Sequence, residues 1–257
     1  MFQVGTYDSS EPLTIDPSLV WSTYFYDNAT SSASFTYTRP SWDSNGNMYI
    51  VLNTYATTFP TINPGGSTYY QSTPGSTGLQ VVIMKFNTSR QITWSTYYSG
   101  SQASHIAFTN QAIAVDQSDN LYVIGSVFYV YADPPASFPL YNPGGGAYYE
   151  SEQGNNRNFI LKFSSSGVRL WATMFNHTSG SFSSGLELTG IAIDNNNKLV
   201  ITGNTYTPDG TWTYIPLVNP GGSYYYKGSP VENQTPTLHR FTTAGALEWS
   251  TYISQGT

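Results

Sequence analysis

Short apolar runs, each only a few residues long, alternate with polar turns along most of this chain. Ile113-Ala-Val-Asp116 and Ile191-Ala-Ile-Asp194 read as short strands, followed by the turns Gln117-Ser-Asp-Asn120 and Asn195-Asn-Asn-Lys198. Asn, Asp and Gly tolerate the positive φ that tight hairpins require. Leu121-Tyr-Val-Ile-Gly125 and Leu199-Val-Ile-Thr-Gly203 then read as second strands, rich in β-branched and aromatic residues. Phe159-Ile-Leu-Lys-Phe163 makes a third, and Ser164-Ser-Ser-Gly167 turns it into a fourth that carries Trp171. No segment sustains a 3.6-residue apolar period, so the pattern predicts little helix.

The four-strand pattern recurs. Trp21, Trp94, Trp171 and Trp249 are spaced by 73, 77 and 78 residues. Asp43, Asp116 and Asp194 follow the first three by 22, 22 and 23 residues. Then come Asn63-Pro-Gly-Gly, Asn142-Pro-Gly-Gly and Asn219-Pro-Gly-Gly, each preceded by Phe59-Pro, Phe138-Pro or Ile215-Pro. Tyrosine pairs follow: Tyr69 with Tyr70, Tyr148 with Tyr149, Tyr224 with Tyr225. Lys85, Lys162 and Arg240, each followed by Phe, precede the next Trp by nine residues. So many anchors in one order define a repeat. The expected fold is all-β, a β-propeller-like array of about three four-stranded antiparallel blades with long Tyr/Gly/Pro-rich inserts.

Counted from the Trp landmarks, residues 1–18 are an N-terminal extension. Unit 1 spans 19–93, unit 2 94–170 and unit 3 171–248, while 249–257 starts a further strand or closes the array. Unit 1 is the expected irregular one: Pro40-Ser-Trp-Asp43 replaces the apolar first strand, and Leu52 stands where Gly125 and Gly203 stand. Each Trp is expected on a fourth strand, buried against a neighbouring blade. The first and last Trp strands are expected to lack partners within the chain. Exposed edges of this kind invite pairing with further blades of a longer chain or with another subunit, in a ring or a filament.

From Leu19 onward the chain resembles the SBBP β-propeller repeat of bacterial secreted and surface proteins. The resemblance rests on the stretch Phe159–Thr173, on Ile113–Asp116 with Leu121–Gly125, and on Phe138-Pro-Leu-Tyr-Asn-Pro-Gly-Gly145. It implies a propeller, export and exposure at the cell surface, and it implies no activity.

Composition narrows the functions. Charged residues are only 9% of the chain and the net charge is −6, against about 25% charged residues in an average soluble domain. Such a chain lacks the concentrated basic face that nucleic acid requires. It also lacks a basic run for an anionic membrane and an apolar run long enough to insert in one. Cysteine is absent, which excludes disulfides and thiolate metal sites. Met1–Thr6 has neither the basic nor the apolar part of a signal peptide.

Three repeated features could carry chemistry. Asp43-Ser-Asn-Gly-Asn47 resembles the start of a Ca²⁺ loop but has no distal Glu. The repeated Asp is therefore read as capping its own hairpin turn, and neither metal nor cofactor is expected. Lys85, Lys162 and Arg240 share a strand face with Ile83, Ile160 and Leu238. They could line a basic channel, or pack their stems on the sheet with their heads paired to acids or carbonyls. The second reading predicts that Lys162→Met costs little stability. The tyrosine pairs are the candidate contact loops, because loops on a rigid scaffold commonly carry binding. His105, His177 and His239 hold non-equivalent positions, Glu150 and Glu152 have no equivalents in other units, and no nucleophile motif or phosphate loop occurs. The expectation is a non-enzymatic extracellular structural or adhesive module that contacts itself or a surface partner. The alternative is a glycan-binding, lectin-like propeller using the Tyr-Tyr loops.

Overall fold

A computed structural model describes Ser10 and residues 21–23, 36–75, 78–100, 104–107, 112–129, 138–151, 157–176, 185–206, 215–230 and 233–253. The rest of the 1–18 extension and most of the leading Trp21 segment lie outside the described residues, as do His177 and Glu152. Among the described residues there is no helix.

Three antiparallel sheets follow one another along the chain. Unit 1 contains β1 (Thr36–Tyr37), β2 (Ser41–Trp42), β3 (Met48–Thr54), β4 (Gln80–Phe86) and β5 (Ile92–Tyr98). Unit 2 contains β6 (Ser104–Ala107), β7 (Ile113–Val115), β8 (Leu121–Tyr129), β9 (Arg157–Phe163) and β10 (Arg169–Phe175). Unit 3 contains β11 (Gly185–Ile193), β12 (Leu199–Tyr206), β13 (Gln234–Phe241) and β14 (Leu247–Tyr252). Each sheet is a meander in chain order; in units 1 and 2 the first strand position is split into two short segments. Unit 1 therefore has the same layout as unit 2. Every sheet ends with its Trp strand, so the structural units begin just after the Trp landmarks rather than at them.

A bulge precedes Trp94, Trp171 and Trp249. The register slips between Ile92 and Trp94, between Arg169 and Trp171, and between Leu247 and Trp249. The extra residue is Thr93, Leu170 or Glu248. A bulge re-aims the next side chain, and here that side chain is the tryptophan; the rings of Trp94 and Trp171 turn toward the following unit.

The sheets pack face to face. β11 of unit 3 contacts β7, β8 and β9 of unit 2, while β2 and β4 of unit 1 contact β7 and β6. One core runs through all three units, from Tyr49, Val51 and Ile83 through Tyr122, Ile124 and Ile160 to Leu199, Ile201 and Phe241. A second, smaller cluster (Leu52, Val82, Met84, Phe86, Tyr97) lies on the other face of unit 1. Burial is continuous along β4, as expected for a sheet covered on both faces, whereas β12 alternates buried and open positions.

The edge strands are not bare. Ile62, Tyr141 and Val218 bridge to Ser95, Ala172 and Ser250 on the Trp strands. Further along the same edges, the amides of Tyr97, Met174 and Tyr252 donate to the carbonyls of Gln71, Glu150 and Lys227. The insert thus wraps the open edge of each Trp strand. For the trailing strand β14 this overturns the expectation that it lacks a partner within the chain.

Candidate functional site

The repeated Asp organises the hairpin between the first two strands. The Asp43 carboxylate accepts from the Asn47 amide at 2.8 Å, from the Asn45 amide at 3.1 Å and from the Asn47 side chain at 2.8 Å. Asp116 does the same with the Ser118 and Asn120 amides at 2.9 Å each and with the Asn120 side chain. Asp194 accepts from the Asn196 and Lys198 amides. Burial alone would push the Asp43 carboxyl up, but the Asn47 hydrogen bonds and the Lys85 charge hold it below its ordinary value. These are turn caps. No three His, Cys, Asp or Glu side chains among the described residues gather as a metal site.

The basic residues sit beside these carboxylates. Lys85 Nζ lies 3.3 Å from Asp43 and 5.1 Å from the centre of the Tyr49 ring. Lys162 repeats this at 3.9 Å from Asp116 and 5.1 Å from Tyr122. Both also reach into the next unit: Lys85 donates to the Ser165 carbonyl at 2.7 Å and Lys162 to the Thr243 carbonyl at 2.6 Å. Burial lowers the Lys162 pKa, partly opposed by Asp116. Arg240 instead pairs with Asp194 of its own unit at 2.9 Å. The basic side chains therefore fill seams between sheets, with heads on acids and carbonyls.

The tryptophans complete the seam. Trp94 and Trp171 are 2% and 1% exposed. Their indole N–H groups donate to the carbonyls of Tyr69 and Tyr148, and their rings meet Phe163 and Phe241 of the next unit at 5.3 and 5.7 Å. The turn of the next unit lies against the same ring. Gly167 approaches Trp94 so closely that an added Cβ would stand 3.0 Å from its ring and 2.8 Å from Thr68 Cγ2. The Tyr69 amide donates to the Gly167 carbonyl at 2.9 Å, and the Tyr148 amide to the Gly245 carbonyl at 2.8 Å. Sequence reasoning missed these glycines. The signal was present, since Ser164-Ser-Ser-Gly167 and Thr242-Thr-Ala-Gly245 align, while unit 1 reads Asn87-Thr-Ser-Arg90.

Three expectations need correction. Trp21 lies on Phe86 at 5.9 Å, the counterpart of the other Trp–Phe contacts, but it belongs to no strand and is 38% exposed. Trp249 is only half-buried, and no later sheet among the described residues packs on it. Tyr224 is not the counterpart of Tyr69 and Tyr148: the Trp249 indole donates to the carbonyl of Tyr225, so the unit 3 pair is Tyr225 with Tyr226. The tyrosine run made the pair one residue ambiguous in sequence.

The loops themselves are pre-formed. Asn63, Asn142 and Asn219 each accept the amide of Gly65, Gly144 or Gly221 at 2.8 Å. The tips Asn63–Ser67, Asn142–Gly146 and Asn219–Ser223 are exposed throughout. Tyr69, Tyr70 and Tyr148 are half-buried, whereas Tyr149, Tyr224 and Tyr225 are exposed. Burial pushes the Tyr69 hydroxyl up to about 12, with the Arg169 charge opposing. Arg169 lies between the rings of Tyr69 and Tyr141, 5.0 and 5.6 Å from their centres. The first tyrosine of each pair in units 1 and 2 therefore belongs to the seam, while the loop tips and Tyr149 face solvent; Tyr70 is half-buried, with its hydroxyl bonded to Thr61 at 3.0 Å.

No family model matches the chain, and no curated protein matches it. Among solved structures it is similar to a Hadza microbial sialidase, at 10% identity and a TM-score of 0.39, over 84% of this chain and 46% of that one. The chain thus corresponds to less than half of that protein's length.

Proposed function

We propose that the chain is a non-enzymatic structural or adhesive module, working outside the cell, in which three propeller-like blades hold a row of rigid loops against another protein surface. The carrying observation is the set of three exposed Asn-Pro-Gly-Gly tips, each locked by the same hydrogen bond from a Gly amide to the Asn side-chain oxygen. A loop already fixed in one conformation loses little entropy on binding. Several equivalent loops on one scaffold gain affinity by acting together. The exposed rings of Tyr141, Tyr149 and Tyr225 offer apolar faces with polar tips, which suits a protein contact. The Asp, Asn, Tyr and Lys side chains that could have served chemistry are committed to turns and seams in units 1 and 2. Low charge and a composition rich in Thr, Tyr and Asn suit an exposed setting.

The test is a Tyr149→Ser, Tyr225→Ser double variant. These exposed changes are expected to alter stability by less than about 0.5 kcal/mol each. Sedimentation velocity over a concentration series, with binding to a bacterial cell surface, should show weakened association and an unchanged circular dichroism spectrum. Glycan-array binding that survives protease treatment of the target surface would replace this reading with a lectin. Association unaffected by the double variant and by Asn142→Ala would refute it.

A further inference from the structure

The outward face of unit 3 differs from the faces that units 1 and 2 turn toward their followers. In unit 1 Tyr49 pairs with Lys85 and Val51 with Ile83; in unit 2 Tyr122 pairs with Lys162 and Ile124 with Ile160. At the same positions unit 3 has Val200 paired with Arg240 and Thr202 with Leu238. Val200 replaces the tyrosines and Thr202, open to solvent, replaces Val51 and Ile124, while Leu238 keeps the apolar position of Ile83 and Ile160 but is only half-buried.

The charges have also changed. Lys198 stands where units 1 and 2 have Asn47 and Asn120, and Glu248 occupies the bulge position of Thr93 and Leu170. Lys198 binds Glu248 at 2.7 Å, and Arg240 lies 2.9 Å from Asp194 and 3.9 Å from Glu248. Lys85 and Lys162 send their ammonium groups into the next unit; Arg240 is held by its own. The third change is Tyr224. Its counterparts Thr68 and Ala147 are small because the next unit's turn lies against them, 2.8 Å and 3.1 Å from where a Cβ on Gly167 or Gly245 would stand. A phenol there overlaps any turn docked in this way. Instead Tyr224 meets Trp249 at 6.1 Å, as Phe163 and Phe241 meet Trp94 and Trp171.

We infer that unit 3 is a built cap: Tyr224 and the Lys198–Glu248–Arg240–Asp194 network seal its outward face against a fourth unit of this kind and against a second copy stacked head to tail. Repeat arrays need a terminal unit with a polar outer face, and these side chains supply one. The inference deepens the proposed function, on which it rests, by removing the outward face of unit 3 from the surfaces open to another copy.

The test uses the full chain labelled with 5-fluorotryptophan, with the Trp249 line assigned by W249F. A copy of residues 99–176 is appended after Thr257 in the native chain and in a variant carrying Tyr224→Ala, Lys198→Asn, Arg240→Lys and Glu248→Thr. The Trp249 line should keep its position and solvent isotope shift in the extended native chain, and move and lose that shift in the extended variant. Tyr224→Ala alone, checked by circular dichroism, serves if the fourfold variant does not fold. The inference is overturned if the appended unit moves the line on the native face, if it docks on neither face, or if raising the concentration of the native chain alone moves the line. Loss of loop-edge binding in Tyr149→Ser alone, a site in unit 2 away from Trp249, leaves this line untouched, so the two proposals fail separately.

Discussion

Gly167→Ala is the most direct probe of how the units are joined. Gly167 has φ of +79°, and a methyl group there would stand 2.8 Å from Thr68 Cγ2 and 3.0 Å from two atoms of the Trp94 ring. The left-handed backbone alone costs an L-residue about 1–2 kcal/mol. Overpacking a filled site adds about 1–3 kcal/mol, which makes about 2–5 kcal/mol in all. Gly144 is the control: its φ is +74°, but nothing lies within 4 Å of an added Cβ, so Gly144→Ala should cost only the backbone part, about 1–2 kcal/mol. Urea unfolding monitored by tryptophan emission compares the two. Because Thr68 supplies the closest contact, Thr68→Ser should recover about 1 kcal/mol of the Gly167→Ala penalty through direct coupling. Equal costs for the two glycine variants would refute the claim that the seam demands glycine for space as well as for conformation.

His239 is fully buried, bonded to Ser250 and Thr237, and burial lowers its pKa to about 3. The unfolded chain takes up the proton first, so stability should be complete above about pH 6.5 and fall by about 1.4 kcal/mol per unit as pH drops toward 3. His239→Gln should flatten that slope in urea titrations, and an unchanged slope would exclude the assignment. Lys162→Met should cost about 1.5–3 kcal/mol through the lost charged hydrogen bond to Thr243, more than its stem packing alone implies; a cost under about 0.5 kcal/mol, within the scatter of surface changes, would show the bond to be idle. Arg90→Gly relieves a left-handed residue, φ 67°, and should stabilise by about 0.5–1 kcal/mol. A fall in thermal midpoint would show that the Arg90 side chain holds structure of its own.

The strands and the repeat were legible because each unit restates the same local chemistry: β-branched runs, an Asp-headed turn, a Gly-Gly loop, a Trp. The function of Asp116 as a turn cap was also readable, since its partners lie within four residues. What could not be read was anything that depends on which unit covers which face. Lys162 looked replaceable because its acceptor, the Thr243 carbonyl, lies 81 residues away. Lys198 and Glu248 lie 50 residues apart in the chain, and only strand pairing puts them at one corner. The exposed state of Trp21 and the register of Tyr225 were hidden for the same reason: local likeness fixes the residue type, and neighbours decide burial.

The glycine tips have a practical consequence. Nothing lies within 4 Å of a Cβ built on Gly65, Gly66, Gly144, Gly145, Gly221 or Gly222, and the insert on either side is tied to the Trp strand by bridges at Ile62, Tyr141 and Val218 and by the carbonyls of Gln71, Glu150 and Lys227. Such a loop is clamped at its base and empty at its summit. A foreign peptide spliced between Gly144 and Gly145 would leave every seam contact in place. The same graft at Gly65 and Gly221 would give one small protein three copies of an epitope, which suits it as a carrier for immunogens or affinity tags.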